Sequence, residues 1–300
     1  MTYKIEKIEP EYPFLLREIY KPPDPIYFRG KKEYLKKTCI SIVGTRKNTE
    51  YGKSLCWKIV EDLTALDVVI VSGLAYGIDT IAHQAALKMK LPTIAVLGSG
   101  IERIYPEANR DLAEEIAEYG LIISEYPGKE APKAYNFVAR NRIISGLSIA
   151  TIIVEAPEKS GALITAKYAL DQGREIFAVP GDVSERNNLG TLGLLQYSAA
   201  YPIKDGKDVI DVLKRQPFLF SEPENNSQKS KKKDDNFITT LSMDNDEKDV
   251  FFSISKKRSI NVDKIIKKLQ LPTHQVLSIL SILEIKGLIL CKNGKYLRKY

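Results

Sequence analysis

Residues suited to binding phosphate and a nucleobase cluster in one short stretch of the sequence. Phe137, Arg140, Asn141 and Arg142 stand within six residues and are followed by an apolar, β-branched run. That run is typical of a buried parallel strand, and the apolar residues before it have helical spacing, so the cluster lies at a helix start. A helix start offers free N–H groups to an anion, arginine matches phosphate oxygens, and an aromatic ring can stack on a base. The pattern predicts a site for single-stranded DNA.

Strands and helices alternate regularly around this stretch. Six β-rich runs predict strands at residues 39–44, 68–73, 93–98, 121–125, 151–155 and 175–181. Amphipathic segments predict helices at residues 51–66, 77–89, 106–118, 161–172 and 206–213. Strands that alternate with helices form parallel sheets covered on both faces. We therefore expect an α/β fold with a doubly wound, mostly parallel sheet.

Glycine and small polar residues follow most of the predicted strands. In a parallel sheet the strand-to-helix junctions share one edge, where ligands of open α/β sheets bind, and glycine lets the backbone approach a ligand closely. The turn glycines are Gly44, Gly73, Gly77, Gly98, Gly100 and Gly181. Any one of them serves a tight turn equally well. Together with Arg46, Lys133 and the Ser160-Gly161 turn, they predict an edge lined with phosphate-binding groups.

Length and charge indicate a large domain followed by a small basic one. The chain has 300 residues and a net charge of +7; residues 248–300 hold 12 Lys and Arg against 3 Asp and Glu, a net +9, which leaves −2 for the remainder. A nearly neutral body needs a local pocket to attract nucleic acid. Three scattered cysteines argue against disulfides and a Cys-based zinc site. Since no stretch resembles a signal peptide or membrane helix, we expect a cytoplasmic protein.

The composition changes along the chain predict four parts. We expect an N-terminal extension, a DNA-binding domain, a flexible linker and a winged-helix-like domain, at residues 1–37, 38–214, 215–247 and 248–300, respectively. In the last part, helices at 260–269 and 272–285 precede two short β segments around Asn293-Gly294, a strong hairpin signal. In the winged-helix pattern the second helix can contact DNA. A protein-binding role fits this pattern nearly as well.

The sequence contains partial matches to several catalytic motifs, but no complete one. Gly52-Lys53-Ser54 ends like a P-loop without its first glycine, and Arg103 replaces the third glycine of a dinucleotide fingerprint. His83 and His274 fall in different predicted domains, outside any metal or catalytic motif. Asp79 stands one helical turn before His83, which favours a local hydrogen bond over a catalytic pair. We therefore expect no enzymatic activity, no cofactor and no metal.

Six ordered motifs are similar to those of a known family. They are GTR at 44–46, SGLAYGIDTIAHQAAL at 72–87, AVLGSGIERIYPEAN at 95–109, FVARNRIIS at 137–145, VEAPEKSGALITA at 154–166 and GREIFAVPGD at 173–182. Over residues 8–213 the chain resembles the DNA-processing protein A (DprA/Smf) family, and its tail resembles the winged-helix domain of many members. The resemblance implies an extended Rossmann-like domain with a small C-terminal winged-helix domain.

The resemblance also implies a function and a set of site residues. Members bind single-stranded DNA without catalysis, protect it and load the RecA recombinase onto it in natural transformation. They form homodimers and work alongside single-strand-binding protein. By motif, the residues lining the DNA pocket are Arg46, Lys133, Phe137, Arg140 and Arg142, with backbone donors from Gly161. Asn141 and Ser160, chosen from their own chemistry, complete the predicted site.

The chain departs from the family pattern at two places. Val138 follows Phe137 where the family often has proline, which predicts a less rigid loop. The family's GTN-type element reads Gly190-Thr191-Leu192 here, so its third position lacks the polar amide, which puts a DNA contact there in question.

Two other functional classes remain as alternatives. A nucleotide-processing hydrolase of the lysine-decarboxylase-like (LOG) type would use an arginine and a glutamate such as Arg140 and Glu155, but its PGGxGT-type turn is absent from the sequence. A transcription factor that binds DNA through the tail would leave the larger domain without a role.

Overall fold

The chain forms two units, which the computed structural model places at Met1–Ser221 and Glu222–Tyr300. The structure describes residues 2–215, 245–254, 260–269, 271–285, 288–292 and 294–298. Most of the predicted linker and Asn293 of the predicted hairpin turn lie outside the described residues.

One sheet forms the centre of the first unit. The nine strands found among its described residues are β1 (Tyr3–Ile5), β2 (Ile26–Gly30), β3 (Cys39–Val43), β4 (Val69–Ser72), β5 (Thr93–Leu97), β6 (Leu121–Ser124), β7 (Ala150–Ile153), β8 (Glu175–Ala178) and β9 (Tyr201–Pro202). Their spatial order is β1-β2-β6-β5-β4-β3-β7-β8-β9. Strands β3 to β9 pair in parallel, whereas β2 pairs antiparallel with both of its neighbours. The predicted mostly parallel, Rossmann-like α/β fold is confirmed.

The described helices of this unit pack on the sheet, and most of them connect parallel strands. They are α1 (Phe14–Arg17), α2 (Glu50–Leu63), α3 (Ile78–Lys88), α4 (Arg110–Tyr119), α5 (Ala134–Leu147), α6 (Gly161–Asp171), α7 (Leu189–Gln196) and α8 (Gly206–Lys214), with 3-10 turns at Lys32–Lys36, Glu107–Asn109 and Arg186–Asn188. The hydroxyl of Thr49 accepts a hydrogen bond from Gly52 N–H and so fixes the start of α2. Within the described part of the chain, no helix combines the length and apolarity needed to cross a membrane.

Both faces of the sheet are buried because successive strand residues point to opposite sides. In β3, Ile40 and Ile42 pack on the face covered by α2, α3 and α8. Cys39 and Val43 of the same strand pack on the other face, with α1, α5 and α6. Near-continuous apolar strands are expected where helices cover both faces. This two-sided core fixes the ends of the strands, where the loops of the site begin.

The first 37 residues contribute two strands that the sequence pattern did not predict. Strand β2 pairs with β6, and β1 pairs with β2 at the edge of the sheet. The prolines of this segment exclude a long helix but leave room for strands near a sheet edge. Leu16 of α1 is fully buried in the same core as Ile143 and Ile144 of α5. The N-terminal segment therefore forms part of the core of the unit. Strand β9, two residues long, was also missed.

The second unit is a small bundle of helices with a three-stranded sheet. Its described elements are α9 (Asn245–Ser253), β10 (Ile260–Asn261), α10 (Val262–Leu269), α11 (Thr273–Ile285), β11 (Ile289–Lys292) and β12 (Lys295–Arg298). The antiparallel strands lie in the order β10-β12-β11. A separate core includes Phe251, Ile265 and Leu283. The two predicted helices and the hairpin are present, and the winged-helix assignment stays a prediction.

Leu16→Ala tests whether the N-terminal segment belongs to the core of the first unit. Loss of a fully buried leucine should lower the free energy of unfolding by about 2–5 kcal/mol. Urea denaturation followed by fluorescence of Trp57, the single tryptophan of the chain and part of α2, measures this. Phe14→Ala, at a side chain 52% exposed, is the matched control and should cost much less. Equal, small effects of both changes would contradict this packing.

Candidate nucleic-acid interface

The strand order opens a cleft at one edge of the sheet. The chain runs outward from β3 through β4 and β5 to β6 and then returns to place β7 on the opposite side of β3. The loops after β3 and β7 therefore diverge, and ligands of open α/β sheets bind in the crevice at such a reversal. A cleft of about 730 Å³ lies there, lined by these two loops and the first half of α5.

Two exposed cations line this cleft, Arg46 after β3 and Lys159 after β7. The β3 loop is fixed because the N–H of Thr45 donates to the carbonyl oxygen of Glu155 at 2.7 Å. Gly77 permits the loop to pack closely, since its φ is +77° and a Cβ atom there would overlap the Thr45 carbonyl oxygen. A fixed backbone thus presents Arg46 to the cleft.

The N-terminus of α6 forms part of the cleft wall. Ser160 is its N-cap, and the Ser160 hydroxyl accepts a hydrogen bond from Ala162 N–H at 3.2 Å. Gly161 is exposed, and a Cβ atom added to it would meet open space. The first N–H groups of a helix lack intrahelical partners and attract anions. The structure therefore places both predicted residues of this turn beside Lys159 in the cleft.

An aromatic pair lies on the α5 side of the cleft. The rings of Phe137 and Tyr105 are 5.4 Å apart and tilted by 48°. Phe137 rests against Gly98, where a Cβ atom would come within 2.6 Å of the Phe137 ring. Tyr105 remains 47% exposed. The cleft therefore offers ring surface next to its anion-binding groups.

Arg140 lines the same cleft but is buried, with 4% of its surface exposed. Its Nη1 donates to the carbonyl oxygen of Gly73 at 2.6 Å and to that of Val96, at the ends of β4 and β5. Its Nε donates to Oδ1 of Asn141 at 3.2 Å, and Nδ2 of Asn141 donates to the carbonyl oxygen of Gly161 at 3.1 Å. Arg140 therefore shares the cleft with Arg46, but its Nη1 and Nε already donate to the protein.

Arg142 does not share this cleft. Its Nη2 pairs with Oε1 of Glu125 at 2.5 Å, and its Nε donates to the carbonyl oxygen of Lys21 at 3.1 Å. It lines a separate cavity of about 610 Å³, which α5 and α6 form with residues 18–21. Adjacent helical residues point about 100° apart, so Asn141 and Arg142 face different cavities. The prediction that all three arginines converge is wrong for Arg142.

Lys133 lies at the rim rather than in the lining. It is the N-cap residue of α5, and its neighbours Pro132 and Ala134 line the cleft. Its exposed ammonium is 3.3 Å from Oε1 of Glu130, in a surface pair. Such exposed pairs are weak, so Lys133 can exchange this partner for an anion at small cost.

Two buried titratable groups lie behind the cleft. Burial raises the pKa of Asp79, whereas Arg140 and the N–H groups of Ala75 and Gly73 oppose this rise. Burial, together with the charge of Arg140, lowers the pKa of His83 to about 3, so its imidazole is neutral. His83 Nδ1 shares a hydrogen bond with the Thr93 hydroxyl at 2.7 Å, so the predicted bond to Asp79 is not formed. No group of three metal-ligating side chains occurs among the described residues.

The cleft is also lined by side chains that the sequence did not predict, among them Tyr105, Lys159 and Thr165. Lys159 and Thr165 belong to the VEAPEKSGALITA motif, and Tyr105 belongs to AVLGSGIERIYPEAN. The signal that could have found Lys159 is its position in the loop after a parallel strand. The remaining predicted turn glycines pack closely: Gly44 against Ile78, Gly100 against Gly128 and Gly181 against Asn188.

The fold and cleft define a Rossmann-like protein with a candidate anion-binding site at the reversal of its strand order. The family model of DNA recombination-mediator protein A matches residues 4–214, and the chain belongs to this family. The DNA processing protein DprA of Bacillus subtilis (strain 168) is 42% identical over 214 residues, which cover 71% of this chain and 72% of that protein.

Two solved structures have the same fold as the first unit. DNA processing protein A (DprA) from Streptococcus pneumoniae matches with a TM-score of 0.67 and 38% identity, covering 70% of this chain and 73% of that one. DNA processing protein A from Helicobacter pylori, described for its single-stranded DNA binding mode, matches with a TM-score of 0.63 and 33% identity, covering 71% and 95%. The resemblance inferred from the six motifs is thus confirmed.

His83→Gln should reduce the loss of stability in acid. Because burial holds the pKa of His83 at about 3, the unfolded chain, whose histidine titrates near 6.5, binds the proton first as pH falls. The wild-type first unit therefore loses up to about 1.4 kcal/mol per pH unit from this residue below pH 6.5, and glutamine removes that loss. Urea denaturation at several pH values, followed by Trp57 fluorescence, gives the difference. Parallel pH profiles for both proteins would contradict a neutral, buried His83.

Proposed function

We propose that the cleft between the loops after β3 and β7 binds single-stranded DNA without regard to sequence. One observation carries the proposal: Arg46, Lys159 and the N-terminus of α6 line one cleft together with the ring of Phe137. The first three bind phosphate, and the ring stacks on a base. Phosphates and ring faces are common to all sequences, and a duplex hides its base faces. The site should therefore prefer unpaired strands of any sequence.

Family membership extends the proposal to a biological role. The chain acts as a recombination mediator that protects incoming single-stranded DNA and loads the RecA recombinase onto it in natural transformation. It works in the cytoplasm as a homodimer, alongside single-strand-binding protein and without catalysing a reaction. The single-stranded DNA binding mode named for the Helicobacter pylori relative supports the choice of ligand. Two linked clefts in a dimer would raise avidity without any new contact.

The hydrolase alternative requires Glu155 to face a bound nucleotide. The Glu155 side chain instead lies at the start of α2, where Oε2 accepts from Thr49 N–H at 3.0 Å and Oε1 accepts from the Thr49 hydroxyl at 2.5 Å. Glu155 is 1% exposed. A carboxylate held by a helix N-terminus serves as a cap. This geometry favours DNA binding over hydrolysis. Incubating the protein with AMP and measuring released base tests the hydrolase alternative.

The charge distribution of the second unit argues against a main DNA site there. In a winged-helix domain the second helix enters the groove, but α11 carries no Lys or Arg. Three exposed lysines lie instead on α10, at Lys264, Lys267 and Lys268. We propose that this unit assists binding or contacts a protein, and that the cleft of the first unit provides the single-strand site.

Arg46→Ala should weaken binding of a fluorescent oligo-dT without unfolding the protein, because Arg46 is exposed. Loss of one charged hydrogen bond costs about 1.5–3 kcal/mol, or about 10- to 150-fold in affinity. The slope of log affinity against log salt should fall by about 0.7. Arg110→Ala removes the same charge from α4, outside the cleft, and should change neither quantity. Unchanged binding by Arg46→Ala would contradict the proposed site.

A truncated chain that ends at residue 215 tests whether the cleft binds DNA without the tail. It should keep its preference for oligo-dT over a duplex of equal length, since the first unit contains the cleft and its own cores. Fluorescence anisotropy with both DNAs measures the preference. A regulator that binds DNA through its tail would lose all binding in this chain.

A further inference from the structure

Two of the three guanidinium nitrogens of Arg140, Nη1 and Nε, donate to the protein itself. Two strand ends, at Gly73 and Val96, supply carbonyl oxygens to Nη1, and Asn141 accepts from Nε. Burial lowers the pKa of Arg140 to about 10, and the carboxylate of Asp79 opposes this, so the guanidinium remains charged at neutral pH. A phosphate would have to displace these partners to bind Nη1 or Nε, and only 4% of the residue's surface is exposed. Arg140 is thus poorly placed to contact DNA.

The same contacts connect the parts of the cleft that do reach solvent. The guanidinium carbon lies 5.9 Å from the ring centroid of Phe137. Through Asn141, Arg140 is linked to the carbonyl oxygen of Gly161, in the first turn of α6. Behind it, the N–H of Gly73 donates to Oδ2 of Asp79 at 3.2 Å. One buried cation, Arg140, therefore lies against the ring of Phe137, binds the ends of two strands and is linked through Asn141 to the first turn of α6.

We propose that Arg140 is a positioning residue for single-stranded DNA, which holds Phe137 and the first turn of α6 in place and contacts no phosphate. This inference rests on the proposed function of the cleft. A cation suits the position because its several donors satisfy carbonyl oxygens that apolar side chains would leave unpaired. It also packs under an aromatic ring, a favourable arrangement for a guanidinium. Arg46, in contrast, is exposed and contacts phosphate.

Salt dependence distinguishes a positioning arginine from one that contacts phosphate. Only phosphate contacts release counterions, so Arg140→Gln should weaken oligo-dT binding about tenfold or more while its salt slope stays equal to that of wild type. Arg46→Ala should lower the slope by about 0.7. The measurement is fluorescence anisotropy with the full chain between about 50 and 200 mM salt. An equal fall in slope for Arg140→Gln and Arg46→Ala would overturn the inference.

A double-mutant cycle tests whether Arg140 acts through the ring. If Arg140 positions Phe137, the loss of affinity in Arg140→Gln plus Phe137→Ala should be clearly smaller than the product of the two single losses. If the double loss equals the product of the two single losses, Arg140 does not act through Phe137, and the inference that it positions this ring would be overturned. The control is Arg46→Ala combined with Phe137→Ala, whose loss of affinity should nearly equal the product of the two single losses.

Gly73→Ala provides a second variant that leaves the charge in place. The added Cβ atom would lie 2.5 Å from Nη1 of Arg140, so the guanidinium must move. Binding should weaken with an unchanged salt slope, and this decides the inference if Arg140→Gln does not fold. Gly193→Ala adds a methyl group in open space and is the matched control. Gly73→Ala with wild-type affinity would overturn the inference.

The two proposals fail in different ways. If Arg46→Ala binds oligo-dT as tightly as wild type, the cleft is not the site and the proposed function fails. If Arg46→Ala weakens binding while Arg140→Gln lowers the salt slope, the cleft stands and only the positioning role is lost.

Discussion

The reversal of strand order between β3 and β7 is the constraint on which the cleft depends. The loops that follow β3 and β7 diverge, and a cleft opens between them. The two loops carry Arg46 and Lys159, and the second leads into the N-terminus of α6. Backbone topology alone thus places two cations and a helix start at one opening. The side chains then decide what the opening binds.

The walls of the opening are fixed by buried polar groups. Glu155 caps α2 through Thr49, and its carbonyl oxygen accepts from Thr45, next to Arg46. Arg140 joins the ends of β4 and β5 and supports Phe137. Buried charges are tolerated when they are hydrogen-bonded, and such networks hold one arrangement. The exposed groups are therefore preorganised before a ligand binds, which lowers the entropy lost on binding.

The sequence predicted the six central strands because β-branched runs and glycine turns alternate at regular intervals. It missed β1, β2 and β9, since these strands are short or follow prolines and their pairing depends on distant residues. It also predicted Arg140 and Arg142 as equal DNA contacts. Both arginine side chains suit phosphate, but burial and the positions of Gly73 and Glu125 determine their partners. Local sequence spacing shows neither the burial nor these positions. Lys159 was missed although it lies in the VEAPEKSGALITA motif, because only the Ser160-Gly161 turn of that motif was assigned a role.

Hydrogen–deuterium exchange of the full chain with and without oligo-dT tests most directly that the cleft is where single-stranded DNA binds. Bound DNA should slow amide exchange in the loop at residues 44–49 and in the first turn of α6, while the far ends of the same strands stay unchanged. Because the amides at the α6 N-terminus lack intrahelical partners, their protection reports ligand contact. Protection confined to residues 245–298, with the cleft loops unaffected, would contradict the account.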